Sequence, residues 1–111
     1  MSAKIISKLN DELRRYIFNA HNKDKIVLSE NVSTLPYKDK LEVLKKVKDF
    51  DNFTEDNNPY KENDFGAFDY KAIKFFWKID YYDNDLKNHS EDNTNTEKTI
   101  RVLTVMNASE Y

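Results

Sequence analysis

Cysteine is absent from this chain of 111 residues, which excludes disulfides and thiolate metal sites. Glycine occurs once, at Gly66, and proline twice, at Pro36 and Pro59. Turns must therefore be built largely from Asn, Asp and Ser. No glycine-rich loop exists to cradle a phosphate, so a P-loop or dinucleotide site is excluded. No apolar run approaches the roughly 20 residues that a membrane-spanning helix needs. The two histidines, His21 and His89, stand in no metal-ligand spacing. The segment MSAKIISKLNDELRR carries charges where a secretory leader needs its apolar stretch. These absences point to a cytoplasmic protein with no membrane segment and no motif for a cofactor or metal.

What is present is a foldable composition. Aromatic residues make up 14% of the chain and charged residues 34%. A length of 111 residues fits one domain, 1–111, able to bury roughly 65% of the surface of its unfolded chain. The net charge of −2 is unevenly spread. Residues 1–50 hold eleven Lys or Arg against seven Asp or Glu, whereas residues 51–96 hold five against eleven. A basic half and an acidic half form a polarity that a partner can read, although a merely solvated surface gives the same pattern.

Periodicity predicts the elements. Ile6, Leu9, Leu13, Tyr16, Ile17 and Ala20 recur at three- and four-residue spacing, predicting an amphipathic helix over 3–21. Lys25–Ser29 is a short β-branched strand. Ser33 or Thr34 supplies a cap and Pro36 a first turn for a second helix over 36–49, burying Leu41, Leu44 and Val47, with Phe50 closing it. Asp51–Asp64 reads as an irregular acidic loop pinned by Phe53 and Tyr60. Phe65–Tyr70 is a strand whose Gly66 marks a bulge or close packing. Lys71-Ala72 is a hairpin turn without the usual Asn-Gly chemistry. Lys74–Asp83 alternates Phe75, Trp77, Ile79 and Tyr81 against Phe76, Lys78, Asp80 and Tyr82. After a polar, mobile loop over 85–98, Ile100–Ala108 closes the sheet; its Val102 and Met106 are read as core, and Arg101 as facing the other way with Lys78, Asp80 and Tyr82. Its edge is one along which two copies could pair. The fold class is α+β, two helices on one face of a small antiparallel sheet, in the order α-β-α-β-β-β.

The runs NDELRR, FDNFTEDNNPY, NDFGAF, FWKIDYYD and RVLTVMNASEY together resemble an uncharacterised domain-of-unknown-function family of small bacterial proteins. That family is mainly alphaproteobacterial and often plasmid-borne. The resemblance runs from about Leu9 to Tyr111 and carries no activity. It implies a compact single domain in a bacterial cytosol or mobile-element setting. Members have Gly and then Glu-His-Asp after the Pro-Tyr pair, where this chain has Lys61, Glu62, Asn63 and Asp64. Asn63 cannot serve as a base, which weighs against an enzymatic reading.

Three functional readings follow. The leading one is a small non-catalytic binding or regulatory protein, an accessory factor of a mobile element acting on a protein partner. Its interface is sought in Asp51–Asp64 with Tyr82, Asp83 and Asp85. The second is a metal-dependent enzyme or nucleic-acid-processing domain using Glu62, Asp64, Asp80 and Asp83, though neither an EF-hand spacing nor a catalytic pair is present. The third is a weak nucleic-acid binder through Arg14, Arg15, Lys45, Lys46 and Lys48. Candidate interaction or acidic-site residues are Glu62, Asp64, Lys78, Asp80, Tyr82, Asp83 and Arg101.

Overall fold

A computed structural model describes residues 2–19 and 23–111. The predicted positions Ala20 and His21 and the breaker Asn22 lie outside the described residues. Helix α1 spans Ser2–Arg15, β1 Lys25–Leu28, α2 Glu30–Ser33, α3 Tyr37–Lys48, β2 Phe65–Tyr70, β3 Ile73–Tyr82 and β4 Ile100–Asn107, and a 3-10 turn follows over Ala108–Glu110. The fold is α+β, with three helices where two are read from the sequence. The extra one is a single turn holding Ser33, so the chain between β1 and α3 is already helical before Pro36. Pro36 sits just outside α3, with its extended backbone leading into the first turn.

The strand order is β1-β4-β3-β2. The last three strands form the antiparallel meander that alternation predicts, whereas β1 adds to β4 in parallel, so the sheet is mixed. This puts β4 inside the sheet, with hydrogen-bonded neighbours on both sides. The expectation that it offers a free edge is thereby overturned. The edges are β1 and β2.

One face of the sheet carries the core. Phe75, Trp77, Ile79 and Tyr81 of β3 and Leu103 and Val105 of β4 pack with Ile6, Leu13, Ile17, Val32, Val43 and Val47 from the helical segments. α3 buries Val43 and Val47 more fully than the expected Leu41 and Leu44, which stay part-exposed. The buried stripe of α1 is Ile6, Asn10, Leu13 and Arg14, continued by Ile17. It lies to one side of the predicted stripe, leaving Tyr16 half-exposed and taking two polar residues into the interior.

Gly66 shows why the single glycine stands where it does. A Cβ there would lie 2.3 Å from Trp77 Nε1, 2.7 Å from Trp77 Cε2 and 2.8 Å from Phe50 Cζ. The indole lies against the β2 backbone at Gly66 and meets Phe50 and Phe53 edge-on at centroid distances of 5.5 and 6.2 Å. The sequence expectation of close packing holds, and Phe53 pins its loop as expected. Tyr60, by contrast, is 79% exposed and pins nothing. At the β2–β3 hairpin, Lys71 and Ala72 have φ of 50° and 65°. Both are left-handed, as a type I′ turn demands, but neither is the Asn or Gly that adopts this region readily.

Candidate functional site

The sheet divides six of the seven residues singled out from the sequence into two groups and leaves Asp83 in a loop. On the helix-covered side lie Glu62, Asp64 and Arg101. Arg101 is paired directly across from Tyr81 and is 2% exposed, so it does not face outward with Lys78, Asp80 and Tyr82. The physical reason is that β4 is apolar on both faces. Val102 and Met106 look as suited to a core as Leu103 and Val105, so alternation alone does not select the inward set; the register against β3 does.

The covered side centres on Asn10, which is fully buried. Its Nδ2 donates to Tyr81 Oη at 2.8 Å and to the Glu62 carbonyl at 3.0 Å, and its Oδ1 accepts Arg101 Nε–H at 2.8 Å. Tyr81 Oη in turn donates to Glu62 Oε1 at 3.2 Å. The Arg101 guanidinium lies 5.3 Å from the Tyr81 ring centroid and also donates to the Asn93 carbonyl. Burial, followed by the nearby Glu62 charge, holds the Asp64 carboxyl above the ordinary Asp range. Burial likewise raises the Tyr81 phenol strongly and lowers the Arg101 guanidinium.

Asn63 is locked in. Its backbone N–H donates to Asn58 Oδ1 at 2.9 Å, its Oδ1 accepts Asn58 Nδ2–H at 2.6 Å, and its amide reaches Asp11 at 3.2 Å. Lys61 and Asn63 have φ of 58° and 56°. Both are left-handed, a region that a glycine enters more readily than either residue.

Arg14 is also spent on structure. Its Nη1 donates to the Val47 and Phe50 carbonyls at 2.9 and 2.8 Å, its Nη2 pairs with Asp11 at 2.9 Å, and its guanidinium sits 4.7 Å from the Trp77 ring centroid. It closes the carbonyl end of α3 and, being 4% exposed, is withdrawn from the basic surface proposed for nucleic acid.

Among the described residues the other side of the sheet carries none of α1, α2 and α3, and only the end of the 3-10 turn reaches it through Tyr111. From β2 it presents Phe65, from β3 Phe76, Lys78, Asp80 and Tyr82, and from β4 Ile100, Val102, Thr104 and Met106. Phe65 and Phe76 lie 5.4 Å apart, and Tyr111 meets both edge-on at 6.3 and 5.2 Å. Lys78 Nζ pairs with Asp80 at 2.8 Å, a contact that raises the lysine. At the far end Tyr82 stacks on His89, 6.4 Å between centroids. Asp83 belongs to neither surface. Its carboxylate accepts the backbone N–H groups of Asp85 and Lys87, holding the loop after β3.

That loop, expected to be a mobile polar stretch, is closed by hydrogen bonds. Thr99 Oγ1 donates to the Asp92 carbonyl at 2.7 Å, and Asn84 and Lys23 donate to the Glu97 carbonyl. Among the described residues no three His, Asp or Glu side chains are grouped as a metal site; Asp80 points to the opposite face from Tyr81, although its charge still reaches Asp64. Sequence reasoning missed Asn10, which lies on the covered side; its only signal was the NDELRR run.

These features define a small α+β protein whose mixed sheet is sheathed by helices on one side and open on the other. Residues 28–110 match the family model described as Protein of unknown function (DUF3768), and the chain belongs to that family. The match takes in α2, α3 and the β2–β4 meander, and leaves α1 outside it. No curated protein and no solved structure matches the chain.

Proposed function

We propose that this protein is a non-catalytic binding module that engages another protein through the open face of its sheet. The observation that carries the reading is the aromatic cluster Phe65–Phe76–Tyr111 on the side of the sheet that α1, α2 and α3 leave open: Tyr111 is exposed, Phe65, Phe76 and Val102 are part-exposed, and Met106 and Ile100 lie buried beneath them. Contiguous apolar surface rimmed by polar groups is characteristic of protein interfaces, as is aromatic and Met enrichment. The charge on this face favours the same kind of occupant. Lys78 and Asp80 neutralise each other within the face, so an apolar protein surface can cover them without stranding a charge. A phosphate backbone would need unpaired cations; of the basic set Arg14 is already committed to α3, and Arg15, Lys45, Lys46 and Lys48 belong to the helices and not to this face. In the bacterial mobile-element setting that the resemblance implies, the partner belongs to plasmid maintenance or host defence.

The test compares wild type with Phe76→Ser/Tyr111→Ser on the open face and with Lys40→Glu on α3, by quantitative capture from source-cell lysate followed by binding of the purified partner. The expected result is a protein lost with the open-face pair and retained with Lys40→Glu. Partners that bind all three forms equally, or nucleic acid retained by the open-face variant, overturn the reading.

A further inference from the structure

Arg101 is buried, yet among the described residues it meets no carboxylate at ion-pair distance. Its Nε and Nη2 are satisfied by Asn10 and Asn93. Its Nη1 has no partner among the described residues and is not among the atoms sealed from solvent. Arg101 is one of the residues lining a cavity of about 250 Å³ on the covered side of the sheet. Leu9, Leu13 and Tyr16 of α1 give the cavity apolar walls, and Glu12 and Asp24 add two carboxylates. Asp24 is held in place by accepting the Arg101 backbone N–H at 2.9 Å.

A guanidinium on a largely buried side chain with one donor to spare suits a carboxylate, because a charge-assisted hydrogen bond is shorter and stronger than a neutral one. The two carboxylates would repel a simple anion. They suit a ligand that brings a positive group alongside its negative one. The volume falls below the roughly 300–1,000 Å³ of sites for drug-sized ligands, and the leucine walls favour a short aliphatic portion. We propose that the cavity binds a free α-amino acid with an aliphatic side chain: carboxylate on Arg101, ammonium toward Glu12 and Asp24, side chain along Leu9 and Leu13. This site lies across the sheet from the docking face and stands independently of it.

The test is calorimetry, with amide-shift mapping, of the full chain against leucine, N-acetyl-leucine and leucinamide. Saturable binding of leucine is expected, with shifts at Leu13, Tyr16 and Arg101. Blocking either charged group should weaken it by about tenfold or more. Glu12→Gln, on a part-exposed position, should narrow the gap between leucine and its acetylated form while the protein stays folded. Arg101→Lys should lose the carboxylate preference. No saturable binding of any aliphatic amino acid at about 10 mM, or equal binding of leucine and both blocked forms, overturns the proposal.

Discussion

Replacing Gly66 by alanine sets two rules against each other. Alanine in a strand interior should stabilise by about 0.5–1 kcal/mol relative to glycine, because it loses less backbone freedom on folding. The structure demands the opposite sign. The new Cβ would stand 2.3 Å from Trp77 Nε1 and 2.8 Å from Phe50 Cζ, against ordinary carbon contacts of roughly 3.5–4.0 Å. Trp77 is 0% exposed and wedged against Phe50, so relief requires moving a ring system by about 1 Å within a filled core. Overpacking of this kind costs about 1–3 kcal/mol, and contact with three rigid atoms places it near the top of that range. The net loss is about 2 kcal/mol, or a fall in Tm of roughly 8 °C for a domain this size. Calorimetric melts and urea titrations with unchanged m-value measure it. A Trp77→Phe partner variant should recover at least about 1 kcal/mol of coupling in a double-mutant cycle. A Gly66→Ala protein that melts at or above wild type would refute the packing argument.

Other expectations rest on separate features. Ala72→Gly relieves a left-handed non-glycine residue in the hairpin turn and should raise stability by about 1 kcal/mol, read from urea midpoints. Arg14→Met strands the Val47 and Phe50 carbonyls and Asp11, and should cost on the order of 3 kcal/mol by thermal melt. Asp64 is held above its ordinary 3.8 in the folded state, so its ionisation opposes folding at neutral pH and no longer does so below that value. Asp64→Asn should therefore raise Tm at pH 7 and leave it unchanged at pH 3. Glu110 shows the reverse sign. Hydrogen bonds from Ser29, Asn31 and Asn107 hold it below 4.5, so its contribution is full above that value and is lost as pH falls through its depressed pKa. Glu110→Gln should destabilise at pH 7 and flatten the acid limb of the stability curve.

Local pattern reached some parts of this molecule and not others. The β2–β3 hairpin, the inward set of β3 and the close approach at Gly66 were legible, because a period of two with one polar face admits one register. Arg101 was not, since β4 is apolar on both faces and its orientation is fixed only by pairing with a strand some twenty residues earlier. Asn10 was missed and Arg14 was read as surface because a helix period marks apolar residues. Here two polar side chains complete the buried stripe, their hydrogen-bonding groups met by β3, β4 and α3. The acidic set likewise looked like one cluster in the chain, and the sheet separates it.

The parallel pairing of β1 with β4 has a consequence for how the protein comes into being. Among the described residues β1 hydrogen-bonds to no strand but β4, which is made later than α1, α2, α3, β2 and β3. A growing chain emerging from the ribosome can form α1, α3 and the β2–β3 hairpin, yet β1 waits with an unpaired backbone and the Asn10 amide without its arginine. Closing that gap pays the loop entropy of most of the chain in a single step. Commitment to the native state is therefore withheld until residues 100–107 clear the exit tunnel, and a chain halted before Ile100 would present β1 to chaperones and proteases as an orphan strand.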